Sequence, residues 1–326
     1  MQRDTLLSTI KGLFAKKINL FVWASFHFFC FSVLFSTYAV FSYLRDLNFS
    51  SPVLGYSTSV KEEGTVYNVL ILGIDRRYAA QKLYRTDVIM LVTVNTKTNK
   101  VVLTSIPRDL WANGMKINGV YVARGLNALK EKIKEITGQS VDRFIRVDFD
   151  ALVWVVDAMG KVTVPVERTF TDKNYPNDRE GDANTAITVT FTKGNMEMDG
   201  ETALIYARSR KGNNGEGSDF ARMRRQQILL KAMPEAFLSP RSMFTPFNLK
   251  EFYNTITKHV KTDMSIRDVE MVYDLLKDRK KYKVEHFVID YEYLVNPPVS
   301  KYGQWVLIPK NGDYAPIHNK IRSLLE

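Results

Sequence analysis

The chain has 326 residues, 45% of them hydrophobic and 25% charged, which excludes a disordered or fibrous polypeptide and suffices for one large domain or two ordinary ones. One cysteine, Cys30, excludes an intramolecular disulfide framework and any multi-cysteine metal site, and the four histidines (His27, His259, His286, His318) lack the spacing of a zinc hydrolase and argue against a Ser-His triad. The net charge of +11 calls for an anionic partner.

Ile18 to Leu44 carries no Asp, Glu, Lys or Arg. As a helix this run reaches about 40 Å, more than the roughly 30 Å hydrocarbon core, and it is expected to span a membrane with some tilt. Arg3, Lys11, Lys16 and Lys17 precede it, whereas only Arg45 follows before Lys61. Residues 1–17 are therefore expected to be a cytoplasmic tail, with everything beyond about residue 45 extracytoplasmic. A cleaved signal peptide and a buried core helix compete with this reading, but the run is too long for a signal h-region and no small-x-small cleavage site follows it. Most of the positive excess lies beyond this segment, and an exported domain does not meet the chromosome, so no nucleic acid is expected as a partner. Membrane lipid headgroups, lipid-linked phosphates and anionic wall polymers remain.

Residues 45–64, rich in Ser, Gly and Pro, read as a stalk, and residues 65–326 as one exported domain. Tyr67 to Gly73, Val88 to Asn95 and Val101 to Ile106 are continuous apolar runs suited to buried central strands. Val122, Leu126, Leu129, Ile133 and Ile136 recur at three and four and predict an amphipathic helix over 120–136 that ends at Gly138. A strand over 144–147, a helix over 149–159 stopped by Gly160, and a strand over 162–166 continue the alternation, so the class is α/β. The polar segment Thr171 to Thr185 reads as a long surface loop. Beyond it come a strand over 187–191, a helix over 199–207, a glycine-rich loop over 210–218 and a helix over 220–237. Helices over 249–260 and 265–280 follow, the second capped by Asp263 or Ser265. Val284 to Ile289 and Trp305 to Ile308 are expected to return two strands to the sheet edge.

Charged residues cluster where the apolar runs end. The first runs into Asp75-Arg76-Arg77, the second begins at Arg85-Thr86-Asp87, and the third ends at Pro107-Arg108-Asp109. Strand ends are where α/β sheets hold ligands. Each Arg and Asp set alone reads equally as a surface ion pair. A further set comprises Arg208, Arg210, Asp219, Arg222, Arg225 and Gln226; on a helix the last three share a face and could converge on one anion, although a solvated basic face is the plain alternative. GNNGEG (Gly212 to Gly217) lacks the Gly-Lys-Ser/Thr of a phosphate loop and reads as a hinge or lid. Arginine forks match phosphate oxygens, and Asp75 with Asp87 could hold Mg²⁺ or Mn²⁺ together with substrate phosphates. The chemistry that fits is displacement at a pyrophosphate-linked centre.

Six motifs, LILGIDRR (70–77), RTDVIMLV (85–92), SIPRDLW (105–111), KINGVY (116–121), DGETALIYARSR (199–210) and SDFARMRRQQ (218–227), occur in one order. In this the chain resembles the LytR-CpsA-Psr family of wall-polymer ligases. The resemblance implies a central mixed β-sheet flanked by helices, with a hydrophobic cavity for a prenyl tail. It implies a membrane-anchored transferase that moves a glycopolymer such as a teichoic acid or capsular polysaccharide from a polyprenyl-diphosphate carrier to peptidoglycan. By the same resemblance Asp75 and Asp87 hold the metal. Arg77, Arg85, Arg108, Arg208, Arg210, Arg222 and Gln226 contact the diphosphate, and Lys116 is an additional contact. Asp75, Arg108 and Arg208 are the catalytic candidates, while Asp109, Asp219 and Arg225 support them. The motifs stop near residue 232 (core 67–232), and residues 240–326 form an extension with no catalytic signal. A diphosphate hydrolase with the same residues, and a non-catalytic anchor or regulator binding anionic lipid or wall polymer, are the alternatives.

Overall fold

The computed structural model describes residues 66–75, 84–112, 114–178, 185–239 and 260–326. The apolar segment 18–44, the stalk 45–64, Arg77 and all but the last residue of the helix expected over 249–260 lie outside the described residues.

The expected mixed α/β architecture is present. β1 (Val66–Ile74), β2 (Thr86–Asn95), β3 (Lys100–Ser105), β6 (Arg143–Val147), β11 (Lys261–Thr262) and β12 (Lys283–Val288) form a six-stranded sheet in the order β11-β6-β1-β2-β3-β12. β1 is antiparallel to β2 and parallel to β6, β3 is antiparallel to β2, and β12 runs parallel to β3. Side-chain alternation sends Leu70, Leu72, Ile89, Leu91, Val102 and Phe144 to one face, where they are buried. That face is covered by α1 (Ile117–Thr137) and α7 (Ala315–Leu325) through Leu129, Ile133, Ile136, Ile317 and Ile321. The periodicity of α1 was legible, but it is interrupted at Gly125, whose φ of 83° lies in the left-handed region open to glycine.

A second core joins α2 (Phe149–Ala158), β7 (Val162–Val166), β8 (Phe170–Pro176), β9 (Ala186–Phe191), β10 (Gly194–Met198), α3 (Gly200–Arg208) and α4 (Asp219–Phe237). Asp148, Asp199 and Ser218 cap α2, α3 and α4 by accepting from the N–H three residues on. α4 is fastened to the sheet by fully buried Gln227, whose amide donates to the carbonyls of Leu103 and Phe287 and to Ser105 Oγ at 2.8–2.9 Å.

Two expectations are corrected, and a choice left open between two caps is settled. Residues 171–176 are not loop but part of β8, paired with β9; Phe170, Asp172 and Tyr175 point inward while polar neighbours hide the alternation. Val284 to Ile289 does return to the sheet as β12, but the 305–308 segment does not: β14 (Ile308–Pro309) pairs with β13 (Leu294–Val295) in a separate hairpin. Of the two capping candidates for α5 (Ile266–Lys277), Ser265 forms a capping box with Asp268, while Asp263 accepts from Phe144 N and Lys130 Nζ.

Candidate functional site: a basic edge at the strand ends

Because β1, β3, β6 and β12 run parallel, their carboxyl ends share one edge, and antiparallel β2 begins there. Three of the sequence clusters are thereby brought side by side. The register passes from Gly73↔Val88 to Ile74↔Thr86, leaving Asp87 as the extra residue of a bulge, a device that re-aims a side chain. Gly73 is needed for this approach, since a Cβ there would lie 2.8 Å from Val88 Cβ. Asp75 follows directly, its N–H donating to the Arg85 carbonyl at 3.4 Å; the Arg85 side chain is exposed.

Arg108 binds Asp87 through Nη1 at 2.8 Å, and its Nε lies 3.4 Å from Asp219 and 3.5 Å from Asp109. Lys116 pairs with Asp109 at 2.6 Å. Asp219, at the N-terminus of α4, is the hub: Arg210 reaches it at 2.9 Å and Arg222 at 3.5 Å. Burial works against the Asp219 charge, but Arg222, Arg210 and Arg108 outweigh it and hold the carboxyl below its usual range. Arg222 is 5% exposed, and burial, reinforced by Arg210 and Arg108, pushes it down to about 10 against the pull of Asp219. The Nε atoms of Arg108 and Arg222 are buried and make no hydrogen bond within the protein, although the Arg108 atom is near two carboxylates. Guanidinium donors thus exceed well-aligned acceptors in this cluster.

Arg208 projects from the last turn of α3. Its fork is held by Asp178 at 2.7 and 3.1 Å and by Tyr175 Oη at 3.0 Å, and it stacks 4.2 Å above the Phe149 ring. Burial opposes its charge, while Asp178, Tyr175 and Asp75 hold it up. Asp75 thus lies within electrostatic reach of Arg208, although the two are distant in sequence.

Arg225 and Gln226 do not converge with Arg222 on a common anion. Arg225 donates to the carbonyls of Tyr206, Glu216 and Ser209 and to the Glu216 carboxylate, and Gln226 donates to Ala207 O at 3.0 Å. The unsatisfied carbonyls at the C-terminus of α3 take both side chains, which fixes the turn presenting Arg208 and Arg210. Nor is the glycine-rich loop a free hinge. Glu216 is tied to Arg225, and Asn213 accepts from the Thr171 N–H. Asp172 was missed by the sequence reading. It is 1% exposed and accepts from Ser209 Oγ and from the N–H groups of Arg210 and Lys211 at 2.7–3.2 Å. Arg146 on β6 was also missed; its Nη1 donates to Tyr84 and Tyr121, joining the β2 entry to α1.

Asp75 and Asp87 offer an all-oxygen donor set at adjacent strand ends, and among the described residues no group of three or more His, Cys, Asp or Glu could form a self-contained metal cage. Two carboxylates suit Mg²⁺ or Mn²⁺, hard cations that take their remaining ligands from phosphates and water.

A mixed sheet whose strand ends carry paired acids and surplus guanidiniums defines an α/β protein with a basic cluster at the strand ends. The LytR_cpsA_psr family model matches residues 42–322, and the chain belongs to that family. The polyisoprenyl-teichoic acid–peptidoglycan teichoic acid transferase TagU of Bacillus licheniformis is 27% identical over 227 residues, covering 68% of this chain and 67% of the relative. TagV of Bacillus subtilis, of the same description, is 29% identical over 175 residues, covering 51% of this chain but 42% of the relative's length. The crystal structure of B. subtilis TagV superposes with a TM-score of 0.59 at 22% identity, over 80% of this chain and 98% of that one, which shows the shared fold.

Proposed function

We propose that this chain is a glycopolymer–peptidoglycan transferase, anchored in the membrane by residues 18–44 with its folded part extracytoplasmic. The oxygen of a peptidoglycan hydroxyl attacks the polymer-bearing phosphorus of a polyprenyl-diphosphate glycan. The bond from that phosphorus to the bridging oxygen breaks, polyprenyl monophosphate leaves, and the hydroxyl proton passes to a base. The observation that carries this reading is the meeting of Arg108 with Asp87 and Asp219, and of Asp219 with Arg210 and Arg222, at one sheet edge. Cationic forks around a diphosphate stabilise charge gathering on the leaving phosphate. Arg108 and Arg222 have buried donors to give, and Arg208 is stacked and preoriented. Asp75 and Asp87 would hold Mg²⁺ or Mn²⁺, which supplies further neutralisation of diphosphate charge when bound.

The names of the relatives agree with a transferase. The sheet supports a lipid substrate as well: on the face opposite α1, Ile71, Val88, Val92, Ile145 and Val147 form a half-buried apolar stripe running up to Gly73 and Asp75. A prenyl chain lying on that stripe would deliver its diphosphate to the edge.

The test is incubation of the full-length protein in lipid vesicles with lipid-linked polymer, peptidoglycan glycan strands and Mg²⁺. Polymer attached to the acceptor is expected, with Arg208→Ala weakening diphosphate binding by roughly 1.5 to 3 kcal/mol. Release of free polymer with none attached would identify a hydrolase and overturn the reading.

A further inference from the structure

The C-terminal extension, which holds no motif, is built into the wall of the site. Leu307 exchanges backbone hydrogen bonds on either side of Leu110, which directly follows the Arg108-Asp109 motif, donating to Asp109 O at 3.0 Å and accepting from Trp111 N at 2.8 Å. Asn296 donates to Val306 O at 2.7 Å and ties off the intervening segment, and Tyr302 packs edge-on against Trp111 at 5.1 Å. This construction holds two aromatic rings out toward solvent. Tyr291 is 51% exposed with its inner edge against Phe220 at 4.9 Å, and Trp305 is 40% exposed with Lys116 6.0 Å from its ring centre. Of the six large apolar side chains exposed among the described residues, four lie between positions 291 and 305. Exposed apolar residues gathered in one short segment mark a contact surface.

Tyr291 and Trp305 line a groove of about 420 Å³ whose floor is shared with the phosphate cluster, through Arg108, Asp109, Lys116 and Asp219. Aromatic faces beside carboxylates and ammonium groups suit a pyranose. The axial C–H face of the sugar lies on the ring, and its hydroxyls and amides exchange hydrogen bonds with the charged groups. The paired charges, Lys116 with Asp109 and Arg210 with Asp219, offer acceptors as well as donors beside the rings. That mixture suits the hydroxyls and amides of an uncharged amino-sugar chain.

We propose that Trp305 and Tyr291 form the platform on which the acceptor glycan strand lies, placing one of its hydroxyls beside Arg108. This rests on the transferase reading above, and assigns to the extension the role of choosing the acceptor. Neither aromatic is a partner in the ion pairs of Arg108, Arg208, Arg210 and Arg222, so their removal should leave those pairs in place.

The experiment uses the full-length protein and its variants Trp305→Ala, Tyr291→Ala and Trp305→Phe. Binding of a β-1,4-linked N-acetylglucosamine tetramer is followed by calorimetry, binding of inorganic pyrophosphate is followed separately, and the KM values for acceptor and for lipid-linked donor are measured. Trp305→Ala is expected to weaken tetramer binding and raise the acceptor KM by about tenfold or more. The donor KM, kcat and pyrophosphate affinity should stay within about twofold, and Trp305→Phe should recover most of the loss. Unchanged tetramer binding in both alanine variants would overturn the platform, and a rise confined to the donor KM would reassign it to the polymer and overturn the acceptor proposal. If the parent binds the tetramer through Trp305 yet transfers nothing, the platform stands and the transferase reading falls.

Discussion

Two buried or half-buried aspartates, Asp172 and Asp219, are engaged in different ways. Asp172 is 1% exposed and is satisfied by directed hydrogen bonds from Ser209 Oγ and three backbone N–H groups. Its partners cannot move without unmaking the turn after α3. Asp219 has a side chain 27% exposed and faces three guanidiniums, of which only Arg210 makes a short contact. Those partners are long side chains able to turn toward another anion. One carboxylate therefore builds the scaffold, while the other holds a place that a phosphate group can share.

The largest effect is expected at the scaffold. Asp172→Ala should cost about 3 kcal/mol of unfolding free energy, since a buried charge-assisted network loses its acceptor. Burial raises the Asp172 pKa, but the Ser209 hydroxyl and the N–H groups of Asn174, Lys211 and Arg210 outweigh it and hold the carboxyl below its usual range. The folded pKa is thus lower than the unfolded one. The stabilisation is complete above about pH 4 and drains away as the pH falls through the folded value. Asp172→Asn should remove that part of the acid slope in a denaturation series, and an unchanged slope would assign it to other carboxylates.

Asp219→Asn is expected to cost less, about 1 to 2 kcal/mol, because the site is partly solvated and Asp87 and Asp109 remain nearby. The comparison is sharpest with inorganic pyrophosphate present. The anion should raise the stability of Asp219→Asn by more than it raises that of the parent, because the neutralised position no longer competes for the guanidiniums, and should raise that of Asp172→Ala by no more than the parent's. An equal gain in both would mean that the two aspartates are not distinct in kind.

The same distinction explains which parts of the site were legible in the sequence. Asp75, Asp87, Arg108 and Asp109 stood out because continuous apolar runs stop abruptly at them, and strand order then had little freedom but to align those stops. The helical spacing of Arg222, Arg225 and Gln226 was read correctly as a shared face. Spacing alone does not show that the open carbonyls at the end of α3 would take two of the three. Asp172 was hidden in a segment rich in Asn and Asp, where one inward carboxylate looks like any loop residue. Trp305 and Tyr291 gave no signal because their role depends on Leu307 hydrogen-bonding a strand end some 200 residues earlier in the chain. Local pattern reports where a strand ends; it does not report which distant segment closes the wall beside it.

Asp178 tests where the boundary between the two kinds of carboxylate falls. Its side chain is 3% exposed, as a scaffold residue's would be, and it holds both arms of the Arg208 fork. A carboxylate gripped by both arms of a guanidinium occupies the positions that two phosphate oxygens would take. If Asp178 is a placeholder like Asp219, Asp178→Asn keeps the shape and neutralises the competitor. Pyrophosphate should then bind about fivefold more tightly, roughly 1 kcal/mol, while the unfolding free energy moves by less than about 1 kcal/mol because Tyr175, Phe149 and Asp75 still surround Arg208. If it is scaffold like Asp172, the same substitution weakens pyrophosphate binding and lowers stability together. Calorimetric titration beside a denaturation curve separates the two outcomes. A combined loss would place Arg208 among the groups that hold the fold, leaving the Asp219 cluster as the main contact for the diphosphate.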